Sequence, residues 1–244
     1  MNRFSLEGRR ALVTGANAGI GQAIAVALAE QGAAVVCAGR SAMDATLAVA
    51  GPRASALAMD LSDLPGAAAA LRAAGPLDCL INNAGIIRRA DAVDFPEADW
   101  DAVMDVNAKA AFFLTQAFAR DVFARGGRGA VVNVASLLSF QGGVRVASYT
   151  ASKHALAGLT KLLANEWAAK GINVNAIAPG YIETANTAAL RTDPERSRQI
   201  LERIPAGRWG DPADIGGTAA FLCSPAAAYV HGAVIPVDGG WLAR

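Results

Sequence analysis

The chain alternates between short apolar runs and longer stretches in which apolar residues recur every three or four positions. The runs fall at residues 10–14, 33–38, 54–59, 77–81, 129–134, 172–177 and 233–237. Short continuous apolar runs of this kind predict strands buried on both faces. Helical periodicity fills most of the gaps. It covers 22–31, closed by Gly32; 67–74; 99–119; and 149–170, closed by Gly171. It returns at 195–203 and in a helix entered at Asp211-Pro212 that runs through Leu222. Glycine past a helix end and proline at a helix start are the expected punctuation. Strands alternating with helices predict a parallel sheet covered on both faces. With no repeat, linker or shift in composition, residues 1–244 read as one doubly wound α/β domain of about seven parallel strands. Residues 86–97 read as loop, and 181–197 as a long, polar, irregular stretch. The region of about 181–203 therefore reads as a lid or substrate loop.

Two places on this scaffold carry candidate chemistry. The first strand runs into Gly15-Ala-Asn-Ala-Gly19-Ile-Gly21 and then a helix, the arrangement in which a backbone can approach a pyrophosphate at a helix N-terminus. The spacing is G-x-x-x-G-x-G, and a tight strand-to-helix turn is its bland counterpart. The second strand ends at Gly39-Arg40-Ser41 with no acid to bind ribose hydroxyls. Arg40 suits a 2′-phosphate, an adenine face or simply solvent. Asp60 ends the third strand, where it either reaches the adenine side or caps the next helix. Asn82-Asn83-Ala84-Gly85 ends the fourth, as an asparagine turn or as backbone brushing a ligand.

The second place is Tyr149-Thr-Ala-Ser-Lys153. Tyrosine and lysine four apart share one helix face, and an ammonium beside a phenol is expected to lower the phenol's pKa toward neutrality. Ser136, at the end of the fifth strand, precedes Tyr149 by thirteen residues, a loop long enough to bring the two hydroxyls together. Asn107 is a polar residue inside an apolar helix, a satisfied core amide or a kink.

Taken together and in order, Thr14-Gly15…Gly19-Ile20-Gly21, Asn82-Asn83-Ala84-Gly85, Asn107, Ser136, Tyr149…Lys153 and Pro179-Gly180 resemble the short-chain dehydrogenase/reductase family over nearly the whole chain. The resemblance implies a Rossmann fold, an oxidoreductase and a homotetramer. It makes Tyr149 the general acid/base, Ser136 the residue that orients the reacting oxygen, and Lys153 the partner of the nicotinamide ribose. Asn107 would hold a water in a proton relay. Cofactor contacts are implied at Thr14, Gly15, Asn17, Gly19, Ile20, Gly21, Arg40, Asp60, Leu61, Asn83, Ala84, Gly85, Tyr149, Lys153, Pro179, Gly180, Ile182 and Thr184. The cofactor is expected to be NAD(H), with NADP(H) also used because of Arg40.

Stretches outside these shared motifs resemble the sugar-acid dehydrogenases of the family. They include residues 86–90, 138–145, 163–167, 204–210 and 237–244. A sugar acid needs a cation for its carboxylate, and an arginine fork suits it. Arg145, in the segment from Ser136 to Tyr149, is the expected clamp, with Arg88 and Arg89 as rivals and Gln141 and Tyr181 at the sugar hydroxyls. Other sugar acids (gluconate, a deoxyfuconate, a uronate breakdown product) fit the same pattern. A nucleotide-binding regulator without turnover is the non-enzyme alternative.

Composition narrows this picture without redirecting it. A formal net charge of +1 with no basic tract argues against a nucleic-acid partner. No apolar run suggests a membrane span, and the first residues lack a signal-peptide core, so a cytoplasmic protein is expected. Cys37, Cys79 and Cys223 lack metal or disulfide spacing, and His154 and His231 stand apart, so no metal site is expected. The apolar pair Trp241-Leu242 near the end of the chain is expected at a subunit interface.

Overall fold

A computed structural model describes residues 2–244. The elements are β1 (Arg10–Thr14), α1 (Gly19–Glu30), β2 (Ala34–Gly39), α2 (Asp44–Ala50), β3 (Ala54–Ala58), α3 (Leu64–Ala73) and β4 (Cys79–Asn82). They continue with α4 (Glu97–Met104), α5 (Ala111–Ala124), β5 (Gly129–Val134), α6 (Ala147–Trp167) and β6 (Ile172–Pro179). The chain finishes with α7 (Ala188–Thr192), α8 (Pro194–Leu201), α9 (Pro212–Cys223) and β7 (Val234–Val237). The seven strands form one sheet in the order β3-β2-β1-β4-β5-β6-β7, every pair parallel. Strand order reverses between β1 and β4, which opens a crevice at their C-terminal ends where ligands bind in doubly wound sheets.

Alternate residues of each strand enter two different cores. Val13, Val35, Cys37, Ile81, Val132 and Ile177 join α1 and α9 on one face. Leu12, Val36, Leu80, Val131 and Val174 join α3, α5 and α6 on the other. This period-two division is why the strands read as continuous apolar runs.

Polar residues cross the second core as a hydrogen-bonded chain. Asn82 Nδ2 donates to Thr115 Oγ1 at 2.8 Å and to Asn133 Oδ1 at 2.9 Å, and Asn133 Nδ2 donates to Thr160 Oγ1 at 2.9 Å. The chain ties β4 and β5 to α5 and α6, the elements that carry the site.

The structure departs from the periodicity reading in four places. Helix α1 begins at Gly19, so the last motif glycines lie in its first turn rather than before it. Helix α2, Asp-Ala-Thr-Leu-Ala-Val-Ala, has too few large apolar residues to signal itself. The predicted helix at 99–119 is a longer run through α4 and α5 joined by a π-helical turn, Asp105–Ala110. The stretch read as irregular between Tyr181 and the helix expected at 195–203 contains α7, and that expected helix is α8, which starts at Pro194 and is capped by Asp193.

Replacing Asn133 with leucine would leave one amide hydrogen of Asn82 without its acceptor, and the Thr160 hydroxyl without its donor, inside the core. We expect it to cost about 1–3 kcal/mol of stability in urea denaturation. A loss below about 0.5 kcal/mol would show that the polar chain holds little together.

Candidate active site

The site sits where β1, β4, β5 and β6 end. Gly15 follows β1 with φ of 64°, and a Cβ there would stand 2.9 Å from the Cα of Ala84. At Gly21 a Cβ would meet the Gly15 carbonyl oxygen at 2.2 Å. The turn therefore closes only with glycine at both positions. The N-terminus of α1 follows, with Ala18 as N-cap, no side-chain cap and no acid in the first turn. Its N–H groups and partial positive charge fit an anionic group such as a pyrophosphate.

Thr14 and Asn83 lock this turn to β4. Thr14 Oγ1 accepts from the backbone N–H of Asn83 at 3.0 Å and of Ala84 at 3.1 Å. Asn83 Nδ2 donates to the carbonyls of Thr14 at 2.9 Å and Gly15 at 3.1 Å. Both side chains are thus spent on backbone shape. Thr184 abuts Gly19 from the β6 side, its Cγ2 at 3.4 Å from where a Cβ would stand. The neighbouring Ile182 forms an isolated bridge with Gly210.

On the adenine side, Arg40 and Asp60 face each other at 3.9 Å, both well exposed. Asp60 does not cap α3; Asp63 does, accepting from Gly66 N. Asp60 accepts instead from the hydroxyl and backbone N–H of Ser62, which hold its carboxyl below the ordinary value, with Arg40 a lesser cause.

The hydroxyl group of the site comes from α6 and the end of β5. Ser136 Oγ accepts from Leu138 N at 3.1 Å and lies against the Tyr149 phenol. Ser139, in the same short turn, donates to the Lys153 carbonyl at 2.7 Å and pins the turn to α6. Lys153 is buried, its Nζ 5.4 Å from the centre of the Tyr149 ring and donating to the Val134 carbonyl at 2.6 Å. Asn107, on the π-helical turn, accepts from Ile86 N at 2.8 Å. Its amide donates to the Ile86 carbonyl at 2.9 Å and to Ser152 Oγ at 3.2 Å. It is a satisfied core amide and also a kink, since it stops the backbone after Gly85 from drifting. Both of its amide hydrogens are committed to protein groups.

The expected charge balance is corrected here. Burial pushes the Tyr149 phenol above its ordinary pKa of 10; Ser136 and, to a lesser degree, the charge of Arg89 pull it down. Lys153 is itself pushed down by burial, from 10.5 to about 8. Its ammonium is turned to a carbonyl rather than to the phenol.

The three candidate arginines separate clearly. Arg145, whose φ of 64° lies in the left-handed region, pairs with Asp91 at 3.0 Å. Arg88 pairs with Asp99 at 3.2 Å. Arg89 has no acidic partner among the described residues, reaches the Asn186 carbonyl at 3.3 Å, and is the arginine whose charge is felt by Tyr149. Tyr181 and Gln141 meet at Trp241, a residue that the sequence reading placed at an interface. The indole is 4% exposed within its own chain, in a third cluster with Leu137, Ile200, Ile204 and Trp209. Among the described residues there is no group of metal ligands, the three cysteines are free and buried, and no helix is long and apolar enough to cross a membrane.

A glycine turn at an uncapped helix, beside a serine, tyrosine and lysine, defines a class: nucleotide-dependent oxidoreductases on a Rossmann sheet. Comparison with known proteins gives the family. Residues 15–242 match the family model described as enoyl-(acyl carrier protein) reductase. The 2-dehydro-3-deoxy-D-gluconate 5-dehydrogenase of Dickeya dadantii is 53% identical over 252 residues, covering 100% of this chain and 99% of that one. A solved structure from Agrobacterium tumefaciens, provisionally described as a 2-deoxy-D-gluconate 3-dehydrogenase with bound NADP, is 68% identical with a TM-score of 0.97, covering 100% of both chains. A gluconate 5-dehydrogenase from Burkholderia cenocepacia, in complex with NADP and tartrate, is 39% identical with a TM-score of 0.94, covering 100% of this chain and 98% of that one. The chain belongs to the short-chain dehydrogenase/reductase family.

The state of Lys153 has a measurable consequence. Between about 8 and 10.5 the unfolded chain keeps a proton on this lysine that the folded chain has lost. Stability therefore rises with pH across that window, where the unfolded state binds more protons. Without cofactor, the stability of the wild type relative to Lys153→Met should climb from pH 8 to pH 10 in urea titrations. A difference that stays flat would mean that the lysine keeps its ordinary pKa.

Proposed function

We propose that this protein is a nicotinamide-dependent dehydrogenase of a keto-deoxy sugar acid, interconverting 2-dehydro-3-deoxy-D-gluconate and 2,5-diketo-3-deoxygluconate. The observation that carries this reading is Arg89, which has no acidic partner among the described residues while Arg88 and Arg145 are paired, reaches the Asn186 carbonyl in the lid segment, and has a charge that is a lesser cause lowering the Tyr149 phenol. A site that handles an uncharged alcohol has no need of such a cation. The similarity to the Dickeya enzyme supplies the particular acid.

The residues divide the work. The pyrophosphate would lie over the glycine turn at α1, with Ile182 and Thr184 closing it from the β6 side and Pro179 and Gly180 below. Lys153 and Tyr149 would hold the nicotinamide ribose. Bound there, the nicotinamide supplies hydride transfer to and from the substrate carbon. Ser136 orients the substrate oxygen, and Tyr149 takes the hydroxyl proton in oxidation or returns it in reduction. The phenol starts neutral, so it is prepared as the acid for ketone reduction. In the oxidative direction Ser136 donates to the phenolate, and a bound ribose would turn the Lys153 ammonium from Val134 toward it.

The preference for NAD(H) gains no support from the solved relatives, three of which carry NADP. Arg40 is the group on which a 2′-phosphate would rest, with Asp60 opposing it, so both cofactors belong in the test. The homotetramer and the cytoplasmic location stay with this reading, but the tail no longer argues for the former, because Trp241 is buried within its own chain. Gluconate is the second substrate to try, on the strength of the Burkholderia relative.

The test is a panel of keto-deoxy sugar acids, gluconate and uncharged polyols, each with NAD and with NADP, on the wild type and on Arg40→Ala. The keto-deoxy acid should give the highest kcat/KM, and Arg40→Ala should weaken NADP use selectively. Preference for an uncharged polyol would overturn the reading, and complete absence of turnover would favour the regulator. Tyr149→Phe should lower kcat at least about a hundredfold, the scale of a positioned proton donor, while NADPH fluorescence still reports binding.

We place the carboxylate at Arg89 rather than Arg145, because Asp91 already neutralises the latter. Arg89→Ala should lower kcat/KM for the acid about tenfold to a hundredfold, as loss of a charge-assisted bond does. The corresponding amide should lose less. Equal losses on acid and amide would make Arg89 structural.

A further inference from the structure

Gln141 and Trp241 lie 100 positions apart and meet in one hydrogen bond: the indole Nε1–H donates to Gln141 Oε1 at 3.3 Å. An indole can only donate. The oxygen of this amide therefore faces the indole, and its orientation follows from chemistry rather than from a choice between two alike ends. The NH2 end has no hydrogen-bond partner among the described residues. Gln141 is half-buried one turn beyond Ser136, its backbone N–H donating to the Leu137 carbonyl at 3.2 Å, so this amide is carried by the segment that also carries the serine.

The indole that fixes this amide is itself held on several sides. The Arg203 guanidinium lies 4.0 Å from the centre of its ring, and the Tyr181 ring centre is 4.7 Å away. Asp238 folds the tail beneath it, its carboxylate accepting from Gly240 N and Leu242 N at 2.9 Å each. Arg244 Nε donates to the Arg203 carbonyl at 3.3 Å and closes the tail against the end of α8. Leu137, directly after Ser136, packs in the same cluster. One indole thus joins the chain's last residues, the lid segment and the turn that carries the reactive serine.

We propose that Trp241 is a positioning residue that turns Gln141 so that its amide N–H groups, not its oxygen, face the substrate, making Gln141 a donor to an acceptor-rich part of the sugar acid. This rests on the sugar-acid reading above and adds the polarity of one contact. Hydroxyl groups accept either orientation of an amide; carboxylate and keto oxygens accept only the donor end. A fixed donor therefore favours an oxidised, anionic substrate over a polyol.

Three variants separate the parts. Gln141→Glu keeps an acceptor for the indole but presents oxygen to the substrate; KM for the keto-deoxy acid should rise about tenfold or more, as for a donor lost and an acceptor left facing an acceptor. Trp241→Phe keeps a ring beside Arg203 and Tyr181 but frees the amide to flip; KM should rise about two- to tenfold, more than kcat falls. In the Gln141→Ala background, Trp241→Phe should add little further, because its effect runs through the amide. If Trp241→Phe costs the same factor with and without Gln141, the indole acts through general packing and the proposal fails. If Gln141→Glu binds the acid as well as the wild type does, the donor assignment fails, independently of whether the tryptophan variant folds. All constants are taken on the best substrate of the panel. Should that be an uncharged polyol, the functional reading fails separately while the cycle is still readable.

Discussion

A lysine buried in the middle of a domain has to find an acceptor, and Lys153 finds the carbonyl of Val134, the last residue of β5. That contact sets the roll of α6 against the sheet. With α6 fixed, Tyr149 one turn earlier stands beside the end of β5, where Ser136 emerges. The Ser139 hydroxyl repeats the tie in the opposite sense, from the turn back to the Lys153 carbonyl. On the other side of α6, Ser152 donates to the Tyr149 carbonyl at 2.8 Å and receives Asn107 at 3.2 Å. The hydroxyls of Ser136 and Tyr149 are thus placed by hydrogen bonds that need no ligand. Burying the lysine costs part of its charge, and its lowered pKa is the measure of that cost.

Much of this was legible in the sequence, and the reasons differ by element. The strands announced themselves because each is buried on both faces, so almost every position had to be apolar. Gly15 and Gly21 were legible because the closure of that turn leaves no space for a Cβ. Tyr149, Lys153 and Ser136 were legible because a helix repeat and a strand end fix where such side chains point. Charge direction was not legible. A spacing of four puts Lys153 beside Tyr149, but only the fold shows that its ammonium turns to Val134 and that burial raises the phenol. The arginines were likewise indistinguishable in sequence. Arg88, Arg89 and Arg145 differ by whether an acid stands opposite, and only the folded chain shows that Asp91, two residues after Arg89, turns to Arg145 instead, and that Asp99 turns to Arg88.

Trp241 shows the same limit from the other end. An apolar pair close to a chain terminus reads as a surface that needs a cover, and a second subunit was the expected cover. The fold supplies one from within, in Tyr181, Trp209 and Ile204. Helix α8 was legible at 195–203, but α7, Ala-Ala-Leu-Arg-Thr, is too short to show a period. The buried side of both helices is small and closes on Leu137, Trp209 and the tail. A local pattern cannot show a core whose other half lies forty residues away.

The charges at the site also constrain one another. Arg89 helps the Tyr149 phenolate only while its charge is not cancelled. If a substrate carboxylate settles on Arg89, that help declines as the substrate binds, and the phenol's pKa drifts further up. Proton return to a ketone becomes easier under those conditions, whereas abstraction from an alcohol becomes harder. Oxidation then depends on Ser136, whose hydroxyl can donate to the phenolate, and on Lys153 leaving Val134. An acid bound without that lysine movement would sit in a site set for reduction. The protonation state in which Tyr149 would meet a substrate is therefore tied to which partner the lysine holds, a carbonyl of the sheet or a ribose of the cofactor.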